Sequence, residues 1–152
     1  MRGKHDVGRG RVVLVVGVGG LGSPAATYLA GAGVGRLVLT DFDRVDLTNI
    51  HRQILFETDD VGRAKTEAAA DRIQRINPDV TVETIDGRLD ASGLETTIAG
   101  CDVVLDGSDN FATRFAVNAA CVARGTPLVS GAAIRMEGQV SVFDPRRDDS
   151  PC

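Results

Sequence analysis

Three stretches of this sequence carry residues suited to handling a polyphosphate. The first is Gly17-Val18-Gly19-Gly20-Leu21-Gly22, directly after the apolar run RVVLVV. In a strand–turn–helix context Gly17 permits a tight turn, Gly19 and Gly20 let a phosphate approach the backbone, and Gly22 lets the following helix pack closely. Free N–H groups and the helix dipole then favour an anion. Asp41 closes the next apolar run, where a carboxylate can accept both hydroxyls of a ribose. A glycine turn without a ligand is the plain alternative, but strand, glycines, helix and acid fall in the order a nucleotide site needs. These residues alone suit NAD as well as ATP.

The second stretch is Thr48-Asn49-Ile50-His51-Arg52-Gln53, followed by Lys65 at the start of a helical segment. Arg can clamp two phosphate oxygens and Lys supplies a mobile point charge. Expulsion of pyrophosphate builds negative charge on the leaving group, and fixed cations stabilise it there. Taken singly, Arg52 reads equally well as half of a surface ion pair, and Lys65 as a solvated helix position. The third stretch, Asp106-Gly107-Ser108-Asp109-Asn110, follows another apolar run. Asp109 can hold Mg²⁺ through one carboxylate, with phosphate oxygens and water completing the shell. Asn110 can bond a phosphate or ribose, or either residue can simply cap the helix beginning at Phe111. His5 and His51 have no supporting cluster for metal or general-base work.

The elements that must position these residues alternate. Strands are expected at 11–16, 36–40, 80–85, 101–105 and 127–130, with a further strand at 139–143 that could run antiparallel. Helices are expected from Ser23 (as N-cap, with Pro24 first inside) to about Ala32, then over 64–77, 90–99 and 111–124. The stretch 41–62 reads as irregular. This rhythm predicts an α/β, Rossmann-like, doubly wound and mostly parallel sheet flanked by helices. Residues 1–10 read as a poorly ordered tail, and 11–152 as one ATP-binding domain.

Composition narrows the classes. The chain has 152 residues, 43% hydrophobic and 25% charged, with a formal net charge of −4. That balance argues against nucleic acid or an anionic membrane as partner. No apolar run reaches the roughly 18–20 residues of a membrane span. Cys101, Cys121 and Cys152 make no disulfide framework, so a reducing cytoplasm is the expected setting. Cys101 and Cys121 read as small core residues in a strand and a helix.

The combined stretches GVGGLGSPAATYLAGAGVGRLVLTDFDRVDLTNIHRQ, VGRAKTEAAADRIQRINP and DVVLDGSDNFATRFAVNAACVARGTPLVSGAAIRMEGQVSVF resemble the molybdopterin-synthase and thiamine-biosynthesis adenylyltransferases, relatives of ubiquitin-activating enzymes. The resemblance implies that Gly20 and its neighbours cradle ATP, that Asp41 binds the ribose, and that Asn49, Arg52 and Lys65 contact phosphates. It further implies that Gln53 belongs to the site and that Asp109 holds Mg²⁺ with Asn110 beside it. The implied substrate is the C-terminal Gly-Gly carboxylate of a ubiquitin-like sulfur-carrier protein, and the implied assembly is a homodimer. Two parts of the family pattern are missing. Residues 1–10 do not match the segment whose arginine reaches the neighbouring subunit. Cys152 stands where a four-cysteine zinc site begins, and one thiolate cannot form it. The chain therefore reads as a fragment, with zinc expected only in a longer protein. An NAD-dependent oxidoreductase and a non-catalytic module that binds a ubiquitin-like protein are the alternatives. The first leaves Arg52, Lys65 and Asp109 without a purpose. The second would be expected to have lost them.

Overall fold

The computed structural model describes residues 8–150. Its centre is β1 (Val12–Val16), a run of Val and Leu whose side chains alternate between two buried layers. The other elements are α1 (Gly22–Gly31), β2 (Arg36–Asp41), α2 (Lys65–Ile76), β3 (Thr81–Asp86), α3 (Ala91–Ile98), β4 (Val103–Asp106), α4 (Phe111–Arg124), β5 (Leu128–Ile134) and β6 (Glu137–Phe143). Two single-turn 3-10 segments lie in the β2–α2 crossover. The sheet order is β3-β2-β1-β4-β5-β6. The first five strands are parallel and β6 returns antiparallel beside β5. The chain therefore moves outward from β1 first in one direction and then in the other, which opens a crevice between the ends of β1 and β4. Open α/β sheets bind ligands at that point.

Each face of the sheet has its own core. Val13, Val15, Leu37 and Leu39 pack with Ala26 and Ala30 of α1 and with Ala68, Ala69 and Ile73 of α2. Leu14, Val16, Val38 and Val104 pack with Leu94 and Ile98 of α3 and with Val117, Ala120 and Cys121 of α4. With so few aromatics, this burial rests on aliphatic side chains worth about 1.5–3 kcal/mol each when fully enclosed. No helix among the described residues is long and apolar enough to cross a membrane.

Several sequence expectations need correction. Ser23 is not the N-cap of α1. It lies inside the first turn, is fully buried, and donates its hydroxyl to the Val18 carbonyl at 2.7 Å. That bond ties the glycine turn to the helix, and Leu21 occupies the cap position without a side-chain bond. Cys101 precedes β4 rather than lying within it. The strand starts later because the Asp102 carboxylate accepts the Val12 N–H at 2.8 Å, while the Asp102 N–H donates to the Val12 carbonyl. β5 and β6 both run longer than expected. Gly131, Ala132 and Ala133 carry no β-branched signal, and ladder pairing to β6 is what extends them. The hairpin turns at Arg135, whose φ of 58° is uncommon for a side-chain-bearing residue. Cys121 is a core residue as expected, and burial pushes its thiol up to about 12. Of the expected tail, residues 1–7 lie outside the described region, and the Gly8 carbonyl accepts the N–H groups of Arg11 and Gly35.

Two predictions follow from these contacts. The Val12 N–H, followed by the Arg11 guanidinium, holds the Asp102 carboxyl below the usual carboxylate range. A depressed folded-state value stabilises the fold above the unfolded value of about 4 and is lost as pH falls through the folded value. Asp102→Asn is therefore expected to be less stable than the parent at neutral pH, with the gap closing toward about pH 3. Urea titrations at both pH values check this, and an equal gap at each would contradict it. The Cys121 thiol, kept protonated by burial, is expected to resist iodoacetamide in the folded protein and to react once denatured. Labelling at the denatured rate under native conditions would overturn that.

Candidate nucleotide site

Everything at the crevice begins with how α1 approaches β1. A Cβ on Gly22 would lie 1.8 Å from the Gly17 carbonyl oxygen. Only glycine lets the helix begin there. Gly17 itself has φ +81°, and a Cβ on it would press on Gly107 and Ser108 at 3.2–3.3 Å. The glycine turn and the β4–α4 loop are thus in backbone contact. The turn is held from the β2 side as well. The Gly17 N–H donates to Thr40 at 2.8 Å, and the Val18 N–H donates to Asp41 Oδ2 at 2.9 Å.

This assembly forms one wall of a cleft of about 630 Å³ at the carboxyl ends of β1, β2 and β4. Gly17, Gly19, Gly20, Asp41, Arg52, Gln53, Lys65, Asp109 and Asn110 all line it. The N–H groups of Gly19, Gly20 and Leu21, on that wall, donate to nothing among the described residues. Unpaired N–H groups at a helix start form a ready anion site. Gly22 lies behind the wall as the packing contact. Asn49 is, with Gly22, an expected site residue that does not line the cleft. Its carbonyl accepts the N–H groups of Arg52 and Gln53 at 3.0 Å each, so its backbone orients the two residues that do.

The charged groups are each lightly held. Arg52 is exposed, packs over Gly20, and donates to the Thr48 carbonyl at 3.2 Å. Asp46 organises that segment by accepting from the Thr48 hydroxyl and N–H, which keeps its carboxyl below the ordinary range. The side chain of Lys65 is 5% exposed, and its Nζ lies 2.9 Å from Asp43 Oδ2. Lys65 is therefore a buried cation with one partner, rather than a solvated helix position. The Gln53 amide lies over Gly19, and its buried Oε1 has no hydrogen-bond partner. Such an orphaned acceptor costs about 1–3 kcal/mol. Asp109 is exposed at the cleft and makes no hydrogen bond or ion pair with the described residues. Asn110 is the N-cap of α4, its Oδ1 accepting the Thr113 N–H at 2.9 Å, while still lining the cleft.

Three participants escaped the sequence reading. Asp43 neutralises Lys65. Arg88 stacks over the Phe42 ring at 3.9 Å, and both line the cleft. Arg114 sits between the β4–α4 loop and β5. A pattern of charge after each strand end carries hints of these residues, but the contacts join segments far apart in the chain. Cys152 lies outside the described residues, and among those described no three metal-ligating side chains cluster.

A family model described as the ThiF family matches residues 4–152. The chain belongs to the ThiF family. Among relatives of this ThiF-family chain, the molybdopterin-synthase adenylyltransferase of Salmonella typhimurium is 51% identical over 140 residues, covering 92% of this chain and 56% of the relative. The sulfur carrier protein ThiS adenylyltransferase of Escherichia coli is 50% identical over 133 residues, covering 88% and 53%. The SAMP-activating enzyme E1 of Haloferax volcanii is 48% identical over 149 residues, covering 95% and 54%. The chain thus spans about half the length of these relatives. Among solved structures, E. coli MccB with ATP superposes with a TM-score of 0.86 at 28% identity, covering 93% of this chain and 43% of that one.

Asp41 gives a test separable from any ligand. Its two oxygens each accept a backbone N–H, from Val18 and from Asp43. In Asp41→Asn the new NH₂ must face one of those donors, which leaves it unpaired at a cost of about 1–3 kcal/mol. The ligand-free variant is expected to show that loss in urea denaturation. Unchanged stability would mean that the carboxylate does nothing for the glycine turn.

Proposed function

We infer that this chain forms the nucleotide-binding part of an ATP-dependent adenylyltransferase acting on the C-terminal carboxylate of a ubiquitin-like sulfur-carrier protein. The observation that carries this reading is the gathering of unpaired N–H groups, Arg52, Lys65 and the unpartnered Asp109 on one cleft. A diphosphate needs only the glycine turn and the helix start, whereas a triphosphate that loses pyrophosphate needs the added cations. The relatives named above support the reaction class, and their names point to carriers such as ThiS or SAMP. Molybdopterin, thiamine and related sulfur-transfer routes all use such chemistry.

In the proposed reaction the glycine turn cradles the phosphates and Asp41 takes the ribose hydroxyls. Arg52 swings from the Thr48 carbonyl, and Lys65 shares its charge between Asp43 and the leaving group. A carboxylate oxygen of the carrier tail bonds to the α-phosphorus as the bond from that phosphorus to the pyrophosphate oxygen breaks, giving an acyl-adenylate. The nucleophile is already an anion, so positioning and charge stabilisation carry the catalysis without an enzyme base. A lone exposed carboxylate fits Mg²⁺, which commonly uses one or two carboxylates together with phosphate oxygens and water. Asp109 would hold the ion, which supplies neutralisation of phosphate charge. A homodimeric assembly, and a zinc site completed by cysteines in a longer chain, belong to the same proposal.

The test is carrier-dependent exchange of pyrophosphate into ATP by a version carrying the complete adenylyltransferase sequence. Arg52→Ala and Asp109→Ala are each expected to lower the exchange rate about 10²–10³-fold, the loss seen when one charge-stabilising donor is removed. Their unfolding midpoints should stay near the parent's. Exchange at the parent rate in both variants would refute the assigned roles, and tight binding of NAD in place of ATP would favour an oxidoreductase.

A further inference from the structure

The loop that presents Asp109 is held with unusual completeness. Asp106 is 1% exposed at the end of β4. Its Oδ1 accepts both the Ser108 N–H at 3.0 Å and the Ser108 hydroxyl at 2.6 Å. Its Oδ2 accepts the Ser130 hydroxyl on β5 at 3.3 Å. The remaining polar group of Ser108, its carbonyl, accepts from Arg114 Nη2. The same nitrogen donates to the Gly131 carbonyl on β5 at 2.8 Å. Ser108 is therefore bonded at its N–H, its hydroxyl and its carbonyl, and the next residue along the chain is Asp109. On the other side, a Cβ on Gly107 would press on the Gly22 nitrogen at 3.1 Å and the Gly17 carbonyl oxygen at 3.4 Å, so the loop also abuts the glycine turn. Among the described residues Asp109 has no bond of its own to fix it. Where it stands relative to the unpaired amides of Gly19 and Gly20 is set by its neighbour's bonds.

The geometry points to Arg114 as a positioning residue, whose guanidinium staples the β4–α4 loop to β5 and so sets the place of the Asp109 carboxylate over the phosphate cradle. This rests on the adenylyltransferase reading for what Asp109 does, but not for the staple itself. Both bonds leave one guanidinium nitrogen, whose two hydrogens are fixed in the plane of the group, whereas a lysine ammonium sits on a shorter stem and does not reach the same point. Arg114→Lys keeps the charge and loosens the loop. Loss of a partner that orients a metal ligand commonly costs about 10–100-fold in metal affinity.

Three measurements on this chain test the idea. Hydrogen exchange of the Gly107 and Ser108 amides, which donate to Val16 and Asp106, is expected to quicken in Arg114→Lys while the amides of α4 beyond its first turn keep the parent's rates. Mn²⁺ binding in the presence of α,β-methylene-ATP, read by electron paramagnetic resonance, is expected to weaken about tenfold. Binding of the same nucleotide in EDTA should stay within about twofold, because the glycine turn and Arg52 are untouched. Should the lysine form not fold, Arg114→Gln is measured instead, with the same expectations. Equal losses with and without metal would make Arg114 a nucleotide contact or a general structural residue and overturn the proposal, as would unchanged exchange at Gly107 and Ser108. A parent chain that binds Mn²⁺ and nucleotide while the variant matches it overturns this inference alone. A parent that binds neither overturns the functional reading together with it.

Discussion

The absence of a side chain between Gly22 and the Gly17 carbonyl is the constraint on which the rest of the site depends. At 1.8 Å from an ideal Cβ there is no compromise position for even a methyl group. Because that approach is open, α1 can start directly above the end of β1 with its first amides toward the crevice. The Ser23 hydroxyl then replaces a conventional cap by closing back on Val18. Gly107 carries the same constraint across to β4, so two loops from opposite halves of the sheet meet backbone to backbone. A larger residue at either point would push α1 or the Asp109 loop away from the cleft.

The second principle of the site is that its charges are kept near the cleft without being fully spent. Lys65 is buried against one half-exposed carboxylate. Arg52 rests on a single carbonyl at 3.2 Å. Asp109 has no partner among the described residues. Moving Arg52 or Asp109 onto a ligand gives up little, since exposed contacts of this kind are worth about 0–1 kcal/mol. Holding Lys65 in a nearly enclosed place still spares it the entropy of being ordered when a ligand arrives. The scaffold beneath is the opposite, with Asp106, Asp41 and Asp46 each accepting two or more hydrogen bonds from backbone N–H groups or hydroxyls. Rigid acids shape the loops, and loosely tethered cations and one bare carboxylate face the opening.

Much of this was legible in the residues themselves. The order of strands and helices and the glycine turn follow from periodicities of 2 and 3.6 and from glycine punctuation. That Arg52, Lys65 and Asp109 would line one crevice was also legible, because charged residues just past strand ends in such a fold must emerge at one edge. Errors came where one local signal competed with a tertiary bond. Ser23 looks like a cap until Val18 claims its hydroxyl. Cys101 looks like strand until Asp102 substitutes its carboxylate for the ladder. Gly131 to Ala133 look like loop until β6 pairs with them.

By itself the sequence determined the layered α/β plan, the anion-ready helix start and which residue types would surround it, because these depend on near neighbours and on side-chain period. The tertiary structure alone decided that Asp43 holds Lys65, that Arg88 covers Phe42, and that Arg114 joins Ser108 to Gly131. Each of these depends on which side chains the crossing of distant strands brings within about 3–4 Å, and no local pattern encodes a contact whose two halves become neighbours only when the sheet has closed.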